Sequence, residues 1–153
     1  MYQVLLYLHS YLRYFVLGAG LVAVYRAYVG WTGHRPFAKG DNAFGASFVG
    51  FMLLQLIVGL GLYFGLSPQY GFKAMKAAGA MKDPAVRFFG MEHVALMVLA
   101  VIIAQIGRTL SKKRLDDTAK HKTAFIYYGV ALALVLLMIP WGLWNPYRPL
   151  FRF

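Results

Sequence analysis

Two stretches of this chain carry no charged side chain: Asn42 to Phe72 and Thr123 to Tyr147. Each exceeds the roughly 20 apolar residues that a helix needs to cross a bilayer core. The apolar fraction of 60% points the same way, since ordinary soluble domains lie near 45–50%. Two further segments are apolar but carry charge. The first, about 4–30, holds Arg13 and Arg26, and the other, about 88–110, holds Glu92, His93 and Arg108. The pattern predicts four transmembrane helices, at about 3–30, 43–66, 88–110 and 123–145, in one integral membrane domain over 1–153. Short connections between them make an all-α, up-down four-helix bundle. A membrane β-barrel would need alternating apolar and polar residues, and no segment alternates.

Lysine and arginine placement sets the expected orientation. Arg26, Arg35, Lys39, Arg108, Lys112, Lys113, Arg114, Lys120 and Lys122 fall on one side. Lys73, Lys76, Lys82, Arg87, Arg148 and Arg152 fall on the other. The first group is larger and sits tightly at helix ends, so the positive-inside rule places it in the cytoplasm and both termini outside. In a bacterial inner membrane that side is the periplasm. The start of the chain has no basic region before its apolar run, and it is read as a span rather than a cleaved signal peptide.

Several function classes are excluded. There is no cysteine, so thiolate metal sites and disulfides are out. The net charge of +11 sits largely beside the spans, where it suits anionic headgroups rather than nucleic acid. The five acids are too scattered for paired-carboxylate chemistry, and no Ser–His–Asp set is apparent. No catalytic residue is assigned, and independent catalysis is not expected.

Ionisable groups inside membrane helices are costly and usually face the bundle interior with a partner or a role. Four qualify: His9, Arg13, Glu92 and His93. His9 lies seventeen residues before Arg26, and His93 fifteen before Arg108. At ~1.5 Å per residue their depths differ by about 3 Å. Two imidazoles at one level on two helices suit a metal-centred group between them, and a b haem with two His ligands is the candidate cofactor. Arg13 is one turn from His9, placed for a haem propionate or a quinone oxygen. Glu92 is adjacent to His93 and could pair with Arg13. The bland alternative is a hydrogen-bonded polar cluster. His34 and His121 are read as solvated loop residues among Lys and Arg.

Other features have mainly structural readings. Glycines 18, 20, 59, 61, 65 and 90 either clear room for a macrocycle or let helices pack closely. Gln55 is expected to hydrogen-bond across the bundle. Pro140 should kink the fourth helix or mark its exit. Trp141, Trp144 and Tyr147 read as an interfacial aromatic anchor, followed by the tail PYRPLFRF. In the long loop from Ser67 to Arg87, FKAMKAAGAMK reads as a short helix lying in the membrane interface.

Eight phrases carry a family resemblance over nearly the whole chain. They are LHSYLRYFVL in the first helix, GLGLYF followed by SP, and MKD then RFFGMEH before the third. IGRTLSKK follows the third, and KHKTAFIYY with IPW belongs to the fourth. Together they resemble a family of small four-helix membrane proteins of Bacteroidetes-type bacteria, often labelled cytochrome b-like. The resemblance implies b-haem binding with ligand roles for His9 and His93. The family's second helix often carries His-x-Gln, where this chain has Leu53, Leu54 and Gln55.

Two readings follow. The first is an electron-transfer cytochrome with one bis-His haem near the outer face, exchanging electrons with quinol or a periplasmic carrier. The second is a non-catalytic subunit of a larger respiratory or photosynthetic complex that packs against partners and holds lipid or quinone. Both place the chain among other membrane subunits or in a homodimer.

Overall fold

The structure, a computed structural model, describes residues 1–67 and 69–141. Pro68, Trp144, Tyr147, Arg148, Arg152 and the PYRPLFRF tail lie outside the described residues. Four long helices make the body of the molecule: α1 (Tyr2–Thr32), α2 (Lys39–Gly61), α5 (His93–Lys113) and α6 (Asp117–Met138). Two four-residue helices, α3 (Phe72–Met75) and α4 (Pro84–Arg87), lie in the long connection. No strand occurs among the described residues. All four long helices, α5 with the turns that precede it, are long and apolar enough to cross a membrane. The protein is a multi-pass, all-α membrane bundle in a bilayer environment.

The helix boundaries follow local chemistry. Asp83 accepts from the backbone N–H of Ala85 (2.9 Å) and Val86 (3.1 Å), with Pro84 in the first turn. Both are start signals, because the first turn has N–H groups without helical partners and proline lacks one. The third span therefore begins at Pro84 rather than near 88. Asp116 caps α6 in the same way, accepting from Ala119 N–H at 2.8 Å. That helix thus starts at Asp117, six residues before the expected 123, with its polar first turns projecting beyond the apolar run. It stops at Met138, just before Pro140, which cannot continue a helix. Trp141 folds back there, and its indole N–H donates to Leu136 O at 2.8 Å.

The 72–82 segment does not form a single helix. α3 ends at Met75, and Gly79 takes φ +83° before a short 3₁₀ turn at Ala80–Lys82. A left-handed glycine interrupts helical geometry, and no helical period survives it.

In the bundle α1 packs on α2 and α6, and α5 packs closely on α6 and more loosely on α2. Its centre is filled by small residues around one large ring. Ala100, Ala104, Ala131 and Phe48 are wholly buried, and small residues are what allow membrane helices to approach closely. Phe48 meets Tyr128 edge-on, with ring centres 5.8 Å apart. The outward faces carry Val4, Phe15, Leu21, Ile57 and Phe64. At the end bearing the short loops, Arg26 Nε bonds Asp41 Oδ1 at 2.9 Å and ties α1 to α2. The other Asp41 oxygen accepts from Ala38 N–H at 2.8 Å.

Candidate functional site

At the opposite end all four long helices line a cavity of about 180 Å³. Its lining follows α1 from Tyr2 to Val16, about 21 Å at ~1.5 Å per residue. An apolar cavity of about 150 Å³ already accepts benzene, so a benzene-sized ring has room. The walls are mostly aliphatic, with Met52, Met97, Val101 and Val135 toward the bundle centre and Tyr63, Ser67 and Tyr70 toward the loop. Into this apolar space the fold brings His9, Arg13, Gln55 and His93.

The two imidazoles meet. Their ring centres are 6.3 Å apart and their planes are inclined by 67°. Two imidazoles bound end-on to one metal, with bonds of about 2 Å, have ring centres about 6 Å apart, so the spacing admits a shared metal centre. His93 is the better-held partner. Its Nδ1 lies 3.2 Å from Met138 O. A carbonyl can only accept, so Nδ1 carries the proton and Nε2 keeps its lone pair. Such a backbone acceptor behind the ring is typical of metal-ligating histidines. The rings of Phe88 and Phe89 flank it at 6.0 and 6.2 Å.

His9 is held by its backbone and by shape. Its carbonyl accepts from Gln55 Nε2 at 2.8 Å, the cross-bundle bond expected of Gln55. The ring rests on α2 where Gly59 lacks a side chain; a Cβ there would stand 2.9 Å from His9 Cε1. Its Nδ1 is buried without a hydrogen-bond partner among the described residues.

Arg13 is buried, one turn from His9, and lines the same cavity. Its guanidinium reaches Tyr14 Oη at 3.4 Å and lies over that ring, 5.1 Å from its centre. Glu92 departs from the expectation. It does not line the cavity and does not pair with Arg13. It binds Arg87 Nε at 2.8 Å on the outside, with side chains 45% (Arg87) and 37% (Glu92) exposed. The reason is azimuth: adjacent helix positions point about 100° apart, and His93 takes the inward direction.

The reading of His121 as solvated is also corrected. The early start of α6 puts it inside that helix, where it is wholly buried. Its ring occupies the space left by Gly30 and lies 5.0 Å from the ring of Phe37. Both ring nitrogens are without hydrogen-bond partners. His34 is exposed, with φ +49° and Nδ1 3.3 Å from Thr118 Oγ1.

Sequence reasoning missed two π turns beside the site. α2 runs into one at Leu62–Leu66, and another at Phe88–Glu92 leads into α5. A π turn adds one residue to a helix without altering its apolar pattern enough to be read, and such turns gather at functional sites. Leu53 and Leu54, where the resembled family has His-x, are 42% and 44% exposed on the outside of α2. They do not line the cavity.

No family model, no curated protein and no solved structure matches the chain.

Proposed function

We propose that the protein is a b-type cytochrome-like electron-transfer component of a bacterial inner membrane, in which His9 and His93 would hold one haem. The observation that carries this reading is the 6.3 Å spacing of two imidazoles lining one cavity inside the membrane spans. Among the described residues no group of three His, Cys, Asp or Glu is placed to hold a metal ion. A bare ion would thus have two protein nitrogens, whereas a haem carries its own ring nitrogens and would need only His9 and His93 from the protein. The resemblance to small cytochrome b-like membrane proteins favours the same cofactor.

When bound, haem supplies reversible one-electron transfer. The chain's own residues supply the rest. His93 is held in one tautomer by Met138 O. His9 is seated against Gly59, with its backbone tied to Gln55. The mostly aliphatic walls give the site an apolar surround. Arg13 places a positive charge beside the centre, which disfavours the oxidised state and raises the reduction potential. On the lysine and arginine distribution, the histidine end faces the periplasm, where quinol or a soluble carrier would be the redox partner.

A reduced-minus-oxidised visible spectrum of the detergent-purified protein, beside a His9→Ala/His93→Ala double variant, tests this. A sharp α-band of a six-coordinate b haem, lost in the variant, is the expected result. A flat spectrum from folded protein sinks it and leaves an accessory subunit of a larger membrane complex.

A further inference from the structure

The two π turns face each other at the loop end of the cavity, and one hydrogen bond joins them. Tyr63, in the turn that follows α2, donates its hydroxyl to Gly90 O at 2.9 Å. Gly90 is the middle residue of the π turn that ends immediately before His93. A π turn carries one residue more than the regular helix would, so it resets the direction of every side chain that follows. His93 is the first residue to receive that setting. The turn is supported on a second side as well: the sulfur of Met75 fills the space where a Gly90 side chain would stand.

Tyr63 is well placed to hold such a clasp. Its ring packs edge-on against Phe64, 4.8 Å between centres, and lies 6.1 Å from Phe72. It also lines the cavity itself. An aromatic ring packed on two sides gives its hydroxyl a defined reach, and a hydroxyl–carbonyl bond is strong where water is excluded.

We propose that Tyr63 is a positioning residue for His93. Its hydroxyl pins the Gly90 carbonyl, which holds the π turn, and the π turn sets the angle at which the His93 ring enters the cavity. Met138 O then fixes the ring's rotation from α6. One tether acts through the backbone and the other on the ring. The inference deepens the haem proposal and rests on His93 being a ligand.

The test is Tyr63→Phe in the full chain, which removes one oxygen and keeps the packed ring. Two readouts separate its failure from failure of the haem reading. In haem-free protein, the imidazole ¹⁵N shifts of His93 should move while those of His121, at the far end, stay. In haem-loaded protein, the low-spin EPR g-values should shift and a high-spin fraction should appear. Unchanged His93 shifts overturn the positioning role whether or not haem is bound. Lowered thermal stability with both signatures unchanged also overturns it, since that is what a merely structural tyrosine would give. An absent haem signal in the unmodified protein defeats the haem reading, and the ¹⁵N shifts then decide whether Tyr63 positions His93.

Discussion

Gly59 of α2 is the seat of the His9 ring: a side chain there would begin 2.9 Å from Cε1 of the imidazole. That contact is tighter than carbon atoms tolerate, so any larger residue must displace the ring from its place. Gly59→Val should therefore cut haem content by more than half, measured as pyridine haemochrome per protein. Gly61→Val is the matched control, because nothing stands within 4 Å of a Cβ at that position, and it should retain full occupancy. Equal loss in both variants would mean that helix flexibility, and not the seat, controls binding.

The two histidines should not be equivalent. His93 has a carbonyl behind it and His9 has none. Added imidazole should rescue the α-band more fully in His9→Gly than in His93→Gly. A free imidazole can replace a ligand that the protein holds only by shape, but not one whose Nδ1–H is anchored to Met138. Equal rescue would remove the distinction.

Gln55 and Glu92 separate a support from a bystander. Gln55→Leu loses the bond to His9 O and should lower stability by about 1 kcal/mol, the usual size for a hydrogen bond between membrane helices. Glu92→Gln breaks an exposed pair with Arg87, for which ~0–1 kcal/mol is typical, and should leave the reduction potential unchanged. A potential that moves on Glu92→Gln would place the carboxylate nearer the centre than its pairing indicates.

His121 gives an inverted expectation for a buried polar residue. Both of its ring nitrogens lack partners, so the imidazole contributes packing and bears an uncompensated desolvation cost. His121→Leu keeps most of the volume and should leave detergent stability unchanged or raise it. His121→Ala opens a cavity against Gly30 and Phe37 and should cost about 2 kcal/mol. Destabilisation by leucine as large as that by alanine would show that the nitrogens bond something essential.

Asp41 serves two bonds at the opposite end: one to Arg26 and one to Ala38 N–H. Asp41→Ala should cost about 1 kcal/mol, most of it from the lost backbone partner, because Arg26 is 31% exposed and its ion pair is screened. Asp41→Asn keeps a neutral acceptor and should cost less. Chemical denaturation in one detergent ranks the pair, and equal losses for the two variants would make the charge the dominant contribution.

Much of this architecture was legible residue by residue. The charge-free runs located the second and fourth spans, and His9 and His93 were legible as a pair because depth in a helix follows from counting residues. What counting could not supply was azimuth. Glu92 and His93 are neighbours in sequence, yet one pairs with Arg87 outside and the other enters the cavity. His121 looked like a loop residue because lysines surround it, and it became a core residue once Asp116 started the helix early. The π turns left no trace in the apolar pattern, since one inserted residue in a largely apolar segment does not interrupt its apolar run.

The sequence by itself determined that the chain forms four helices long and apolar enough to cross a membrane, and that His9 and His93 lie at one level along two of them. Backbone polar groups in a bilayer must be satisfied within the helix, and charge is too costly to place at random. Only the tertiary structure decided which polar residues share the cavity. That depends on helix rotation, which two π turns, the Tyr63–Gly90 bond and the Gly59 seat set through contacts between segments far apart in the chain.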